Sequence, residues 1–228
     1  MAAQWFKNLG VAGKTVVVLS AGVAVAGVGC YLFHRNKDSS EDDMDGTFEV
    51  LTTEDDSPEK RVLVLGLDGS GKTSILSCLA NQENKEETKP TEGFHVIVVQ
   101  SEGVTLNVWE IGGRENVRSY WDNFIQDTQV LTFVVDSTDT NRFALAMDEL
   151  RKVLSDERMD GVPVIVVANK QDLPGAKNAS EVREFLDLQS VAKNREIHVV
   201  ETQVPLNSTQ LGVKTLEELL NKLTKHST

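Results

Sequence analysis

The sequence predicts a three-layer α/β fold built on a mostly parallel six-stranded sheet and preceded by a single apolar helix. Three observations carry this expectation. From about residue 60 onward, short apolar runs alternate with stretches of helical spacing. One run leads into Gly66-Leu67-Asp68-Gly69-Ser70-Gly71-Lys72-Thr73, which fits G-x-x-x-x-G-K-[ST] at every fixed position. Another run, Val164–Ala168, ends in Asn169-Lys170-Gln171-Asp172. Sheets of this kind place their sites at the carboxyl ends of the strands, where both motifs fall.

Taken from the amino terminus, residues 1–14 form a short leading segment with Lys7 and Lys14. Residues 15–33, TVVVLSAGVAVAGVGCYLF, contain no charge over nineteen positions. As a helix this stretch spans about 28 Å, close to the hydrocarbon thickness of a bilayer. It has no polar face, so an interfacial amphipathic helix fits poorly and a transmembrane anchor fits best. A cleaved signal peptide is disfavoured, because export would strand a nucleotide-binding domain away from its nucleotide. Basic residues on the two sides nearly balance, so orientation is set by the expectation that the large domain faces the cytosol. Ala2 stands where N-myristoylation needs glycine. Residues 34–59 carry ten acidic side chains and no basic ones after Lys37, which predicts a self-repelling flexible tether.

Residues 60–228 form the expected main domain. The strand candidates are Arg61–Leu65, Val96–Val99, Leu106–Trp109, Val130–Asp136, Val164–Ala168 and Ile197–Val200. Helical spacing recurs over Arg142–Leu154, Ala179–Leu186 and Thr215–Leu223, with Asn178 or Ser180 available to cap the second. A further helix follows the Gly-rich loop from Ser74. The glycines let the loop curl so that its N–H groups face an anion, and the helix points its positive end at the same place. Asp68, Gly69, Ser70, Gly71, Lys72, Thr73 and Ser74 are therefore expected to hold phosphates, with Lys72 on the β- and γ-phosphates and Thr73 on Mg²⁺.

The Asn169–Asp172 segment suits guanine. The Asp172 carboxylate can accept two parallel hydrogen bonds from the base N1–H and N2 amine, which adenine cannot supply. Lys170 can lie along the base, and Asn169 can tie the strand end to the phosphate loop.

Composition excludes other classes. Residues 60–228 hold 25 acidic and 19 basic side chains, an ordinary balance that gives no support to nucleic-acid binding. Cys30 and Cys78 are the only cysteines, and with four scattered histidines they form no metal-binding pattern.

Over residues 60 to about 223 the chain resembles the ADP-ribosylation-factor-like small GTPases of the Ras superfamily. The motifs are GLDGSGKTS at Gly66–Ser74, PTEGF at Pro90–Phe94, WEIGG at Trp109–Gly113, FVVDSTD at Phe133–Asp139 and ANKQDLPGA at Ala168–Ala176. The uncharged start and altered second switch look most like the divergent members numbered nine and ten. The resemblance implies a Ras-like P-loop GTPase domain that binds GTP and GDP with Mg²⁺ and meets protein effectors and exchange or activating factors. Thr91 then joins Thr73 on Mg²⁺, Glu110 approaches the metal through water, and the Gly113 N–H senses the γ-phosphate. Phe94, Trp109 and Phe124 match an aromatic set beneath the switches that are core residues first and effector contacts second.

The chain departs from this pattern at several points. Glu110 replaces the usual Asp and Glu92 a usual apolar residue. Arg114 stands where the family places the Gln that orients the attacking water. A guanidinium only donates hydrogen bonds and cannot accept from that water, which predicts slow intrinsic hydrolysis. The last guanine-contact loop, Glu201-Thr202-Gln203-Val204-Pro205, is also unusual, and Thr202 and Gln203 are the expected contacts. The leading expectation is a membrane-anchored GTP-binding switch. The alternative is a Ras-like scaffold or adaptor whose nucleotide is structural or absent.

Overall fold

The computed structural model describes residues 58–80, 90–101, 103–192, 194–205 and 209–226, together with the backbone of residues 16–21. The strands are β1 (Val16–Ala21), β2 (Glu59–Leu65), β3 (Phe94–Ser101), β4 (Val104–Ile111), β5 (Val130–Asp136), β6 (Val164–Asn169) and β7 (Ile197–Glu201). They form one sheet in the order β1-β3-β4-β2-β5-β6-β7. From β4 to β7 every neighbouring pair is parallel, and β3 runs antiparallel to both its neighbours.

The helices are α1 (Lys72–Leu79), α2 (Glu115–Arg118), α3 (Phe143–Leu154), α4 (Ala179–Phe185), α5 (Leu188–Ala192) and α6 (Val213–His226). They lie on both faces, because the buried strands are apolar on both sides. Leu63 and Leu65 of β2 join Trp121, Phe133 and the α3 residues Phe143, Ala146 and Leu150 in one core. Their neighbours Val62 and Val64 join Ile75 and Leu79 of α1 and Leu216 and Leu220 of α6 in the other. The period of two along each strand is what separates the layers.

All six expected strands are present, with β3 and β4 each longer than expected at both ends. The seventh is a correction. Val16–Ala21 opens the stretch expected to form an apolar helix, yet it pairs antiparallel with β3, from Val16 opposite Val99 to Ala21 opposite Phe94. Val16, Val17 and Val18 are β-branched and favour extended backbone, and β3 offers an edge of N–H and C=O groups that need partners. Residues 1–15, 22–33 and 34–57, which carry the rest of the expected leading segment, helix and tether, lie outside the described residues. Among the described residues no helix is long and apolar enough to cross a membrane. Glu59, expected in the tether, already belongs to β2.

The two short helices α2 and α5 carry too few turns to show a period in sequence. Asn178 caps α4 through a complete capping box: its side chain accepts from Glu181 N–H, while Glu181 accepts from Asn178 N–H.

Candidate nucleotide site

The loop from β2 to α1 is wrapped around the side chain of Lys72. Its Nζ donates to the carbonyls of Gly66 at 2.9 Å and Leu67 at 3.0 Å. Burial lowers the ammonium pKa to about 8, against the pull of Glu110 and Asp68 and with the push of Arg142. A buried cation with two carbonyl partners and a third N–H to spare is a receptor for an anion. The Ser70 hydroxyl is buried at 2% exposure and has no hydrogen-bond partner among the described residues, a polar atom that a phosphate in this loop would satisfy.

Asn169 locks the loop to the end of β6. Its Nδ2 donates to Ser70 O at 2.9 Å, and its Oδ1 accepts from Thr202 Oγ1 at 2.9 Å. Gly71 has φ 90°, and a Cβ there would overlap Asn169 Nδ2, so the loop can approach this amide only as glycine. Lys170, at φ 68°, is held by Asp136, whose Oδ2 accepts from its Nζ at 2.7 Å. Burial pushes the Asp136 carboxyl up, but Lys170 and the Thr138 hydroxyl and N–H outweigh it and hold the group below the usual range. Asp172 is exposed and makes no hydrogen bond among the described residues, leaving both carboxylate oxygens for a base.

Thr73, Thr91 and Glu110 meet at one point. Thr73 Oγ1 donates to Glu110 Oε1 at 2.6 Å, Thr91 Oγ1 donates to the same oxygen at 3.1 Å, and the two hydroxyls are 3.2 Å apart. The Glu110 carboxylate is only 1% exposed, and its second oxygen is 3.2 Å from His95 Nδ1. The hydrogen bond to Glu110 raises the imidazole pKa, against the opposing effect of burial. An all-oxygen set with one carboxylate fits Mg²⁺ with substrate phosphates as its remaining ligands. The extra methylene of Glu over Asp brings the carboxylate onto both hydroxyls directly.

The segment that follows β4 lies against the phosphate loop. A Cβ on Gly113 would overlap Gly66 O and Asp68 N, so this contact requires glycine. The neighbouring carbonyls are tied down: Trp121 Nε1 donates to Gly112 O at 2.9 Å, and Arg118 Nη1 donates to Gly113 O at 2.9 Å. Gly112 N–H donates to Gly93 O at 2.9 Å, linking the segment after β4 to the one before β3, and the Gly113 N–H has no partner among the described residues. Arg114 does not turn toward the loop; its Nη1 pairs with Glu92 Oε1 at 3.4 Å.

The structure thus gathers Asp68–Ser74, Thr91, Glu110, Gly113 and Asn169–Asp172 along the carboxyl ends of β2, β4 and β6. In the last loop the expected contacts Thr202 and Gln203 already have backbone partners. Thr202 N–H donates to Ala168 O, and Gln203 N–H donates to Leu211 O at 3.1 Å, so neither backbone donor is open to a base. Val204, next in line, makes no hydrogen bond among the described residues. Phe94, Trp109 and Phe124 do form one aromatic cluster, with centroids 5.6 to 6.5 Å apart and Arg61 stacked 4.5 Å over Trp109.

Two further residues were not singled out from sequence. Asp136 restrains Lys170, and Arg142 grips the loop through Asp68 Oδ1 at 3.1 Å and Asp68 O at 3.2 Å while also binding Asp139. Asp136 closes an apolar strand and Arg142 precedes α3, positions whose site partners, Lys170 and Asp68, lie far off in sequence.

Residues 47–226 match the family model described as the ADP-ribosylation factor family. Among curated proteins, the chain is 44% identical over 133 residues to ADP-ribosylation factor-like protein 3 of Chlamydomonas reinhardtii, covering 58% of this chain and 75% of that one. It is 43% identical over 133 residues to ADP-ribosylation factor-like protein 2 of Drosophila melanogaster, covering 58% and 72%. Among solved structures it is similar to the Arl6 BBS3 small GTPase of Trypanosoma brucei with the bound nucleotide analogue GppNp. That match has a TM-score of 0.66 at 28% identity over 75% of this chain and 99% of that one.

Proposed function

Because the chain belongs to the ADP-ribosylation factor family, we propose that it is a guanine-nucleotide switch that holds GTP with Mg²⁺, hydrolyses it slowly and works at a membrane. The observation that carries this reading is the convergence of Thr91 and Gly113, from two separate segments, on the phosphate loop. Both would change partners when a γ-phosphate is present or lost, which is what a switch requires.

In this reading Lys72 and the loop N–H groups bind the phosphates. Thr73, Thr91 and Glu110 hold Mg²⁺, which supplies charge neutralisation to the phosphates. Asp172 selects guanine, Lys170 covers it, and Val204 N–H takes the guanine oxygen in place of Thr202 and Gln203. Hydrolysis is slow because Arg114 cannot accept from water and its guanidinium is engaged by Glu92. The aromatic cluster around Trp109 contributes to the surface offered to effectors and to exchange or activating factors.

The uncharged stretch 15–33 supplies the membrane contact, with the main domain on the cytosolic side, where GTP is found. Val16–Ala21 must leave the β3 edge to join it, since an edge strand and a membrane helix use the same backbone groups.

The test is single-turnover hydrolysis by the full chain loaded with GTP in Mg²⁺. The wild type is expected to retain GTP, and Arg114→Gln to hydrolyse it about tenfold faster or more. Equal rates for the two would refute the role given to Arg114. Folded protein that takes up no nucleotide would replace the switch with a scaffold of the same fold.

A further inference from the structure

Two departures from the family pattern touch each other. Glu92 follows Thr91 in the first switch segment, and Arg114 follows Gly113 in the second, and their side chains pair at 3.4 Å across the gap between segments. Beneath them the same segments are joined by the bond from Gly112 N–H to Gly93 O, and a Cβ on Gly112 would overlap Thr91 O. Each partner alone would be unfavourable. A carboxylate at 92 adds negative charge beside the expected position of the phosphates, and a guanidinium at 114 removes the amide that handles water. Together the charges cancel, and the pair bridges the two residues placed on either side of the γ-phosphate.

We propose that Glu92 and Arg114 form a latch that holds the two switch segments closed over bound triphosphate, making Arg114 a positioning residue for Thr91 and Gly113. This rests on the switch reading above. The γ-phosphate draws Thr91 and Gly113 inward, and the latch ties their neighbours together on the outside. A diphosphate gives the segments nothing to converge on, so the latch favours residence of the triphosphate over the diphosphate. The partners are 46% and 65% exposed, so the pair is a weak, salt-sensitive one.

The test is a charge-reversal cycle on the full chain, following release of a fluorescent non-hydrolysable GTP analogue and, separately, of fluorescent GDP. Arg114→Glu should speed release of the triphosphate about two- to fivefold at low salt, and Glu92→Arg should speed it less, because its new cation also lies beside the phosphates. The double variant Glu92→Arg/Arg114→Glu should return to the wild-type rate, GDP release should stay unchanged throughout, and high salt should erase the differences. Additive effects in the double variant, or equal effects on GDP and triphosphate, would overturn the latch while leaving the switch reading intact. Protein that loads no nucleotide would instead remove the switch reading. The same variants then report the latch by amide hydrogen exchange over residues 90–96 and 110–118, where faster exchange in each single variant and recovery in the double would support it, and no change would overturn it.

Discussion

Lys72 shows how far one side chain can be read. Its position came from a spacing pattern, but its environment comes from the fold, which buries the ammonium against two carbonyls and lowers its pKa to about 8. Burial is the main cause, and bound phosphates would reverse it by favouring the charged form. The folded, empty protein therefore binds fewer protons than the nucleotide-bound protein near and above pH 8. It follows that nucleotide binding at pH 8 should take up roughly half a proton, and that affinity is full below pH 7 and falls as pH rises through 8. Titration calorimetry in buffers of different ionisation enthalpy measures the uptake. Binding without proton uptake would mean that Lys72 is fully charged before nucleotide arrives. The same low pKa also costs the empty fold: the unfolded chain keeps its proton to about pH 10.4, so stability of the empty protein should rise with pH between about 8 and 10.

At the scale of elements, legibility depended on length and on locality. β2, β5 and β6 are continuous buried runs, and α3 and α6 repeat long enough to show a period, so sequence located them within a few residues. α2 and α5 have four and five residues and left no trace. Val16–Ala21 pairs as a strand where a helix was expected because an uncharged valine-rich run satisfies both a bilayer and a sheet edge, and sequence alone does not show the position of β3. The phosphate loop and the Asn169–Asp172 segment were legible because their residues are contiguous. The Glu92–Arg114 and Arg142–Asp68 pairs were not, because they join residues 22 and 74 positions apart. The α4 cap, by contrast, is local and its effect can be sized. Asn178→Ala removes the acceptor for Glu181 N–H at an exposed helix start, so it should lower stability by about 1 kcal/mol without altering nucleotide release. Thermal unfolding at fixed GDP concentration checks the first part, since bound ligand itself shifts the midpoint. A loss well above 2 kcal/mol would mean that α4 does more than cover β7 and the Val182 site in the core.

For the whole molecule, the sheet edge and the membrane contact proposed above call on the same residues. Six residue pairs join β1 to β3, covering an edge that would otherwise stand open beside the switch segment ending at Phe94. The stretch to which β1 belongs also carries no charge for nineteen residues, so a bilayer offers its backbone an alternative in which every N–H bonds within a helix. Both states cannot hold at once, so on the proposed reading the lipid available would decide between them. In detergent-free solution, amides along Phe94–Ser101 that face β1 should exchange slowly, and removing residues 1–21 should speed their exchange while those facing β4 stay protected. With vesicles present, the full chain should float with the lipid and the same β3 amides should exchange faster, because β1 has left. Flotation with unchanged β3 protection would place the membrane contact outside Val16–Ala21 and leave the edge strand a permanent part of the sheet. Exposure of β3 on membranes would instead give the switch a sheet edge open to partners only where the chain is anchored.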